Sequence, residues 1–181
     1  FWFSVISVIL FFDPSSQTSV IEKKVQTEFD RILSQLEKAI SVPIALARHV
    51  TLEGNIAQHQ LETFYYTLDS TLEAELITDT LQIAPGGVVT FEAPWSGGPH
   101  IGHNLYSDPG RKEEALAAAK LRTTVIAGPL TLKQGGNALI VRHPIVLNYN
   151  SIEPEIWGLA IAIINWDTIS AKFSKLENDL G

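Results

Sequence analysis

The sequence contains no cysteine among its 181 residues. Disulfide scaffolds, zinc sites built on cysteine spacings and catalysis by a thiol are therefore excluded together. Methionine is also absent, including at residue 1, and we expect the chain to be a fragment or a processed form. Basic residues are few, 13 against 20 acidic ones, and the resulting net charge of −7 makes nucleic acid a poor candidate partner.

The first twelve residues, "FWFSVISVILFF", are apolar apart from two serines. A helix of this length is too short to cross a hydrocarbon core of about 30 Å, which needs about 20 residues. We predict that residues 1–12 are the truncated end of a transmembrane helix. A core segment and a signal peptide remain as alternatives, although no cleavage site is visible.

Residues 18–75 are predicted to form a helical stalk and dimerisation region. Its first helix has apolar residues at spacings of four and three, namely Ile21, Val25, Phe29, Ile32, Leu36 and Ala39. This spacing predicts a long helix that packs either on its own domain or against a second copy, as a homodimer through residues 20–40. Pro43 is expected to interrupt or kink it. A second helix follows, with Asn55 and Gln58 as a predicted capping pair.

Residues 76–181 have the pattern of short strands separated by glycine and proline. "LQIAPGGVVTFEAP" predicts a hairpin with Pro85 and Gly86 at the centre of its turn. "SDPGRKEEALAAAKLR" predicts a helix that Asp108 caps and Pro109 opens. Three further strands and a final helix, opened by Asn165 or Asp167, complete the order.

Five short strands need a helical layer to bury a face. We therefore predict an α+β fold, a PAS-like five-stranded antiparallel sheet with flanking helices and the long N-terminal helix behind it. Gly135 and Gly136 are expected to form the turn between the third and fourth strands. Because Pro129 has no amide proton, the Gly128-Pro129 step is expected at a sheet edge or a bulge.

Four segments, in this order and spacing, resemble the CHASE domain: "QIAPGGVV", "IGHNLYSDPGRKEEALAAAK", "VIAGPLTLKQGGNALIVRHPIV" and "IWGLAIAIINWDTI". The resemblance covers about residues 20–175. It implies a sensory module of membrane-bound histidine kinases, diguanylate cyclases and related receptors, which lies on the periplasmic or extracellular side of the cell membrane. It further implies a small-molecule ligand, a membrane anchor and no catalytic activity within this chain. No cofactor is expected.

A ligand pocket is predicted between the concave face of the sheet and residues 95–108, where two strands and the Gly-Pro break approach each other. Its predicted lining comprises Phe91, Glu92, Trp95, His103, Val125, Ala127, Gly128 and Arg142. Arg142 and His143 are adjacent on one strand and point to opposite faces, so at most one of them reaches the pocket. Arg142 pointing inward would favour a carboxylate or phosphate ligand. Ala127 stands where the plant hormone-binding members have a hydroxyl residue, so the resemblance does not imply a cytokinin.

An enzymatic alternative is a small metal-dependent enzyme centred on His100 and His103, with Asp108 near them. The two histidines lack the helical i, i+4 spacing and the glutamate of the metalloprotease pattern, and they lie in a loop rich in glycine and proline. The competing interpretation is one ordinary loop histidine and one histidine whose ring bonds a backbone carbonyl. No catalytic serine motif, phosphate-binding glycine loop or dinucleotide fingerprint accompanies them.

Overall fold

The computed structural model describes residues 14–71, 77–132, 135–148 and 154–180. These residues form four helices and five strands, in chain order α1 (Pro14–Glu53), α2 (Gln58–Thr71), β1 (Thr78–Pro85), β2 (Phe91–Ala93), α3 (Lys112–Leu121), β3 (Val125–Thr131), β4 (Asn137–Leu147), β5 (Glu155–Asn165) and α4 (Trp166–Leu180). The predicted transmembrane end, residues 1–12, lies outside the described residues. Within the described residues, no helix combines the length and the apolar character needed to cross a membrane.

The five strands form one sheet in the order β2-β1-β5-β4-β3, and all neighbouring pairs are antiparallel. Helices α1, α2 and α4 cover one face, whereas α3 and the segment before it cover the other. The predicted α+β, PAS-like architecture with a long N-terminal helix is confirmed. Each face carries its own apolar cluster, so the sheet is buried on both sides.

Helix α1 continues through Pro43, which lies inside it. Its predicted apolar stripe divides into two parts. Ile32 and Ala39 are buried in the protomer's own core, where α1 packs on β4 and β5, whereas Ile21 and Phe29 are exposed. The C-terminal part of the stripe therefore stabilises the domain itself, and only the N-terminal part is open to another molecule.

Helix α2 begins at Gln58, but the predicted capping pair of Asn55 and Gln58 is wrong. The amide N–H of Ala57 donates to the side-chain oxygen of Gln60 at 2.7 Å, so Gln60 closes the first turn. The side chain of Gln58 instead reaches strand β2. Its Nε2 donates to the carbonyl of Glu92 at 2.6 Å, and its Oε1 accepts from the Glu92 amide at 3.3 Å.

The turn after β1 is as predicted: the Gly87 amide donates to the Ala84 carbonyl at 3.1 Å, and Gly86 has a φ of 56°. The predicted start of α3 is wrong, because the helix begins at Lys112. The Asp108 carboxylate is used earlier, accepting from the Gly110 amide at 2.7 Å and contacting His103 at 2.8 Å.

The position of the Gly128-Pro129 step and the start of α4 are as predicted. Strand β3 is an edge strand, and its register against β4 shifts between Ala127 and Leu130, around the Gly128-Pro129 step. The side chain of Asn165 caps α4 by accepting from the Thr168 amide at 2.9 Å.

Candidate ligand-binding site

The site is built on a row of residues that crosses the sheet through four strand pairings. Residues paired across antiparallel strands point to the same face. The row, from edge to edge, is Glu92, Gln82, Ile161, Arg142 and Val125. Two ionisable side chains, Glu92 and Arg142, are therefore buried on one face with two strands between them.

A cavity of about 70 Å³ lies between this face and the segment that leads into α3. Its lining residues are Gln82, Val89, His100, His103, Leu105, Arg111, Leu132, Ile140, Arg142, Ile161 and Ile163. Aliphatic side chains predominate, and every ionisable member is basic. Among the described lining residues there is no carboxylate, so the cavity is both apolar and short of negative charge.

Arg142 is the unusual group of this site, because its side chain is only 1% exposed. Its Nε and Nη1 atoms have no hydrogen-bond partner within the described part of the chain. Burial lowers the pKa of Arg142 to about 10; nearby Glu114 opposes this shift and Arg111 adds to it. A buried cation without a hydrogen-bonded counter-charge is unfavourable, since desolvation of a charge costs several kcal/mol.

Glu92, at the other end of the row, is fully satisfied by its own chain. Its carboxylate accepts from the Ser96 amide at 3.0 Å and the Ser96 hydroxyl at 2.8 Å, and it lies 2.5 Å from Nε2 of His100. The side chain is 3% exposed. Glu92 therefore holds the loop that forms one wall of the cavity. Both of its carboxylate oxygens are engaged by that loop.

His100 and His103 each pair with a different carboxylate. His100 contacts Glu92, and Nε2 of His103 lies 2.8 Å from Asp108. Within the described residues, no group of three or more histidine, aspartate and glutamate side chains could hold a metal ion. The geometry gives the metal-dependent enzyme no support. Both histidines contact a carboxylate, whereas the competing interpretation expected a backbone carbonyl as the partner of one ring.

The structure brings some of the predicted site residues to the cavity. His103 and Arg142 line it. Val125 shares the cross-sheet row of Arg142, and Ala127 pairs with the lining residue Ile140, so both lie on the same face towards the β3 edge. A role of these residues in ligand binding stays a prediction.

Besides Val125 and Ala127, which share the cavity face without lining the cavity, four predicted residues lie outside the lining. Phe91 packs against the cluster on the α1 face, and Trp95 is 51% exposed. Gly128 belongs to the irregular part of β3, and the carboxylate of Glu92 is occupied by the loop.

The sequence reasoning missed most of the lining, above all Gln82 and Arg111. Gln82 is the one polar residue in the apolar run "LQIA", and a buried glutamine at such a position is a usable signal of a functional face. Ile140 follows from alternation along β4 once Arg142 is placed inward, whereas Ile161 lies on β5 and nothing local in the sequence indicates that pairing.

Comparison with known structures finds the same fold in sensory proteins. One is an extracellular ligand binding receptor from Desulfohalobium retbaense DSM5692, with a TM-score of 0.62 and 13% identity over 90% of this chain and 27% of that chain. Another is the sensor domain of the V. cholerae histidine kinase DctB, with a TM-score of 0.54 and 14% identity over 86% of this chain and 60% of that chain. At these identities the likeness establishes the fold alone.

A third similar structure is the ligand-binding domain of the Campylobacter jejuni chemoreceptor Tlp3 in complex with 4-methylisoleucine. Its TM-score is 0.54 and its identity 12%, over 89% of this chain and 66% of that chain. Comparison with curated protein sequences gives no match. A family model, by contrast, matches residues 25–180, which is most of the sequence and includes every strand and all of the cavity. The chain therefore belongs to the CHASE domain family.

Proposed function

We propose that this chain is the extracytoplasmic ligand-sensing domain of a membrane-bound signal-transduction receptor of the histidine kinase or diguanylate cyclase and phosphodiesterase type. The observation that carries the proposal is the family match over residues 25–180. The chain lies on the periplasmic or extracellular side of the cell membrane, and catalytic output belongs to a domain outside this chain. The cavity beside Arg142 supplies a small, mainly apolar space with a few polar side chains, the kind of lining that small-molecule sites use.

The packing suggests how ligand binding reaches α1. Strand β4 carries Arg142 towards the cavity and Val141 towards the opposite face, where the α1 cluster lies. A ligand that fits only one position of β4 therefore favours one packing of α1 on the sheet. Helices α1 and α4 are further joined by a hydrogen bond from Nζ of Lys172 to the buried Gln35 side chain. A change in the position of β4 would therefore alter the packing of both helices, which would transmit ligand binding out of the domain.

The homodimer through residues 20–40 belongs to this proposal. Four large apolar side chains in this stretch are exposed: Val20 by 66%, Ile21 by 41%, Phe29 by 41% and Leu33 by 39%. Ile21, Phe29 and Leu33 follow one i, i+4 row along α1, which a second copy of α1 would cover as in a parallel helix pair, whereas Val20 points to the other side of the helix. Ile32 belongs to the protomer's own core and is unsuited to testing this contact.

The dimer is tested with the double substitution Ile21→Asp and Leu33→Asp. Placing two charges in the contact should weaken self-association by at least about tenfold, since each buried charge costs more than 1.4 kcal/mol. Leu52→Asp is the matched control, because Leu52 is 79% exposed on the same helix but outside the stretch. Sedimentation equilibrium measures the effect. Equal self-association of the double variant and the control would contradict the dimer.

Ligand sensing is tested by thermal-shift screening of amino acids, organic acids and purines. We expect a compound that raises the melting temperature saturably in the parent and not in Ile140→Phe, which fills the cavity with a larger ring. Ile126→Phe is the control, because Ile126 is 48% exposed on the edge strand. Stabilisation by no class of compound, or equal binding by the Ile140→Phe variant, would contradict the proposal.

A further inference from the structure

We propose that the cavity binds the carboxylate of a small aliphatic acid and that the Arg142 guanidinium recognises it. The inference rests on the proposed ligand-sensing function and names the chemical class of the ligand. It assigns to the cavity one charged head group and one short apolar body. The argument has three parts: the charge that Arg142 lacks, the shape of the guanidinium, and the size and lining of the space in front of it.

The first part is the missing counter-charge. Arg142 is buried and borders the cavity, and two of its three guanidinium nitrogens have no partner within the described residues. The nearest acidic influence is Glu114 on α3, which forms no ion pair with it among the described contacts. The basic neighbour Arg111 lines the same cavity and adds to the positive potential at Arg142. An anion in the cavity would remove this imbalance.

Glu92 is a buried charged residue whose hydrogen-bond partners come from the chain itself. It lies in the same cross-sheet row and has an equally small exposure, but its carboxylate receives bonds from Ser96 and His100. The chain therefore satisfies one buried charge of the row internally and leaves the other, Arg142, facing a cavity. Since buried polar groups in proteins are nearly always paired, the partner of Arg142 is expected to come from outside the chain.

The second part is geometry. A guanidinium is planar and holds its N–H groups in a fixed fork, which matches the two oxygens of a carboxylate and permits two parallel hydrogen bonds.

The third part is the rest of the cavity. Leu132, Ile140 and Ile161 border the same space and offer no hydrogen bonds. They favour a ligand with a hydrocarbon body, which propionate and isobutyrate have and phosphate and sulfate lack.

The size of the cavity favours a small ligand. One water molecule needs about 10 to 15 Å³ of such space. The cavity of about 70 Å³ therefore has room for a body of only a few non-hydrogen atoms beyond those that Arg142 binds. Acids of the size of propionate or isobutyrate match this space, whereas an intact dipeptide or nucleotide would extend beyond it.

The test uses sodium acetate, propionate and isobutyrate, with propionamide and isobutyramide as uncharged analogues of the same shape, and inorganic phosphate as a second anion. Binding is measured by thermal shift and calorimetry at constant ionic strength. In the parent, we expect propionate or isobutyrate to raise the melting temperature by about 5 °C or more at a hundredfold excess over Kd. The amides should give no saturable shift.

Arg142→Met keeps an unbranched side chain about as long as the aliphatic part of arginine and removes the guanidinium with its charge. It should weaken carboxylate binding by at least about tenfold, the loss typical of a charge-assisted hydrogen bond. Arg48→Met is the charge-matched control, because Arg48 is exposed on α1, away from the cavity. This variant should bind the carboxylates as tightly as the parent. Glu114→Gln should tighten carboxylate binding, since it removes the competing negative charge near Arg142.

The outcomes separate this inference from the function it rests on. Equal binding of amides and acids, tighter binding of phosphate than of propionate, or unchanged acid affinity in Arg142→Met would each overturn the carboxylate assignment. A ligand of another class that binds the parent and is lost in Ile140→Phe would overturn it while the sensing function stands. The absence of any ligand would overturn both.

Discussion

The two faces of the sheet are made by the same strands but differ in chemistry. On the α1 face, paired positions such as Leu81, Val141 and Ala162 are aliphatic and belong to one continuous cluster with α1, α2 and α4. On the opposite face, the next row contains Glu92 and Arg142 and borders a cavity. Because alternate residues of one strand point to opposite faces, each strand can serve stability and recognition separately.

The largest expected effect compares a matched pair of isoleucines on β5. Ile164, on the α1 face, is completely buried in a closely packed cluster, and Ile164→Ala should lower the free energy of unfolding by about 4 kcal/mol. Ile161 borders the cavity, so part of its side chain faces empty space and not packed atoms. Ile161→Ala should therefore lower the free energy of unfolding by only about 2 kcal/mol. Urea denaturation measures both, and equal losses would contradict the contrast between the faces.

A smaller effect compares the two buried charges of the cavity face. Glu92→Gln keeps the shape but removes the charged acceptor of Ser96 and His100, and it should destabilise the domain by about 1 to 3 kcal/mol. Arg142→Met removes a buried charge that has no hydrogen-bond partner at two of its nitrogens, and it should change stability by less than about 1 kcal/mol or increase it.

Both variants are measured without added carboxylates, by urea denaturation at neutral pH. If Arg142→Met proves more destabilising than Glu92→Gln, Arg142 has a stabilising partner within the chain. That result would contradict the contrast between a satisfied Glu92 and an unsatisfied Arg142. Retained near-ultraviolet circular dichroism in both variants is the control for native packing.

The smallest effect concerns His143, which lies beside Arg142 but points away from the cavity. Burial lowers the pKa of His143, and its Nδ1 lies 2.8 Å from the Thr124 hydroxyl. The unfolded chain therefore binds a proton there more readily than the folded chain, so this contribution to stability is present above the ordinary value of about 6.5 and falls as pH decreases below it. His143→Gln should flatten the loss of stability between pH 7 and pH 5. An unchanged slope would contradict a buried neutral His143.

The local elements were predictable because their signals are local. Glycines fixed the turns at Gly86 and at Gly135 and Gly136, and Asn165 fixed the start of α4. Asp108 does accept a hydrogen bond from a nearby backbone amide, that of Gly110, but the helix begins only at Lys112, and its contact with His103 depends on the folded loop. A capping residue by itself does not show which amides it will meet.

The site was less predictable, since it depends on register. That Arg142 pairs with Ile161, and Ile161 in turn with Gln82, follows from how three separate strands align, which no short stretch of sequence encodes. Alternation showed that Arg142 and His143 point apart, but not which of the two faces the cavity. The bond of Glu92 to His100 likewise joins a strand to a loop that has no periodic pattern.

The side chain of Gln58 has a consequence for how this domain meets its neighbours. Its amide takes the donor and the acceptor of Glu92 on the outer edge of β2, where an added strand would otherwise bind. At the far edge, Pro129 offers no donor and the bulge interrupts β3. Both edges of the sheet are thus poor templates for an added strand, which protects the folded domain from edge-to-edge aggregation.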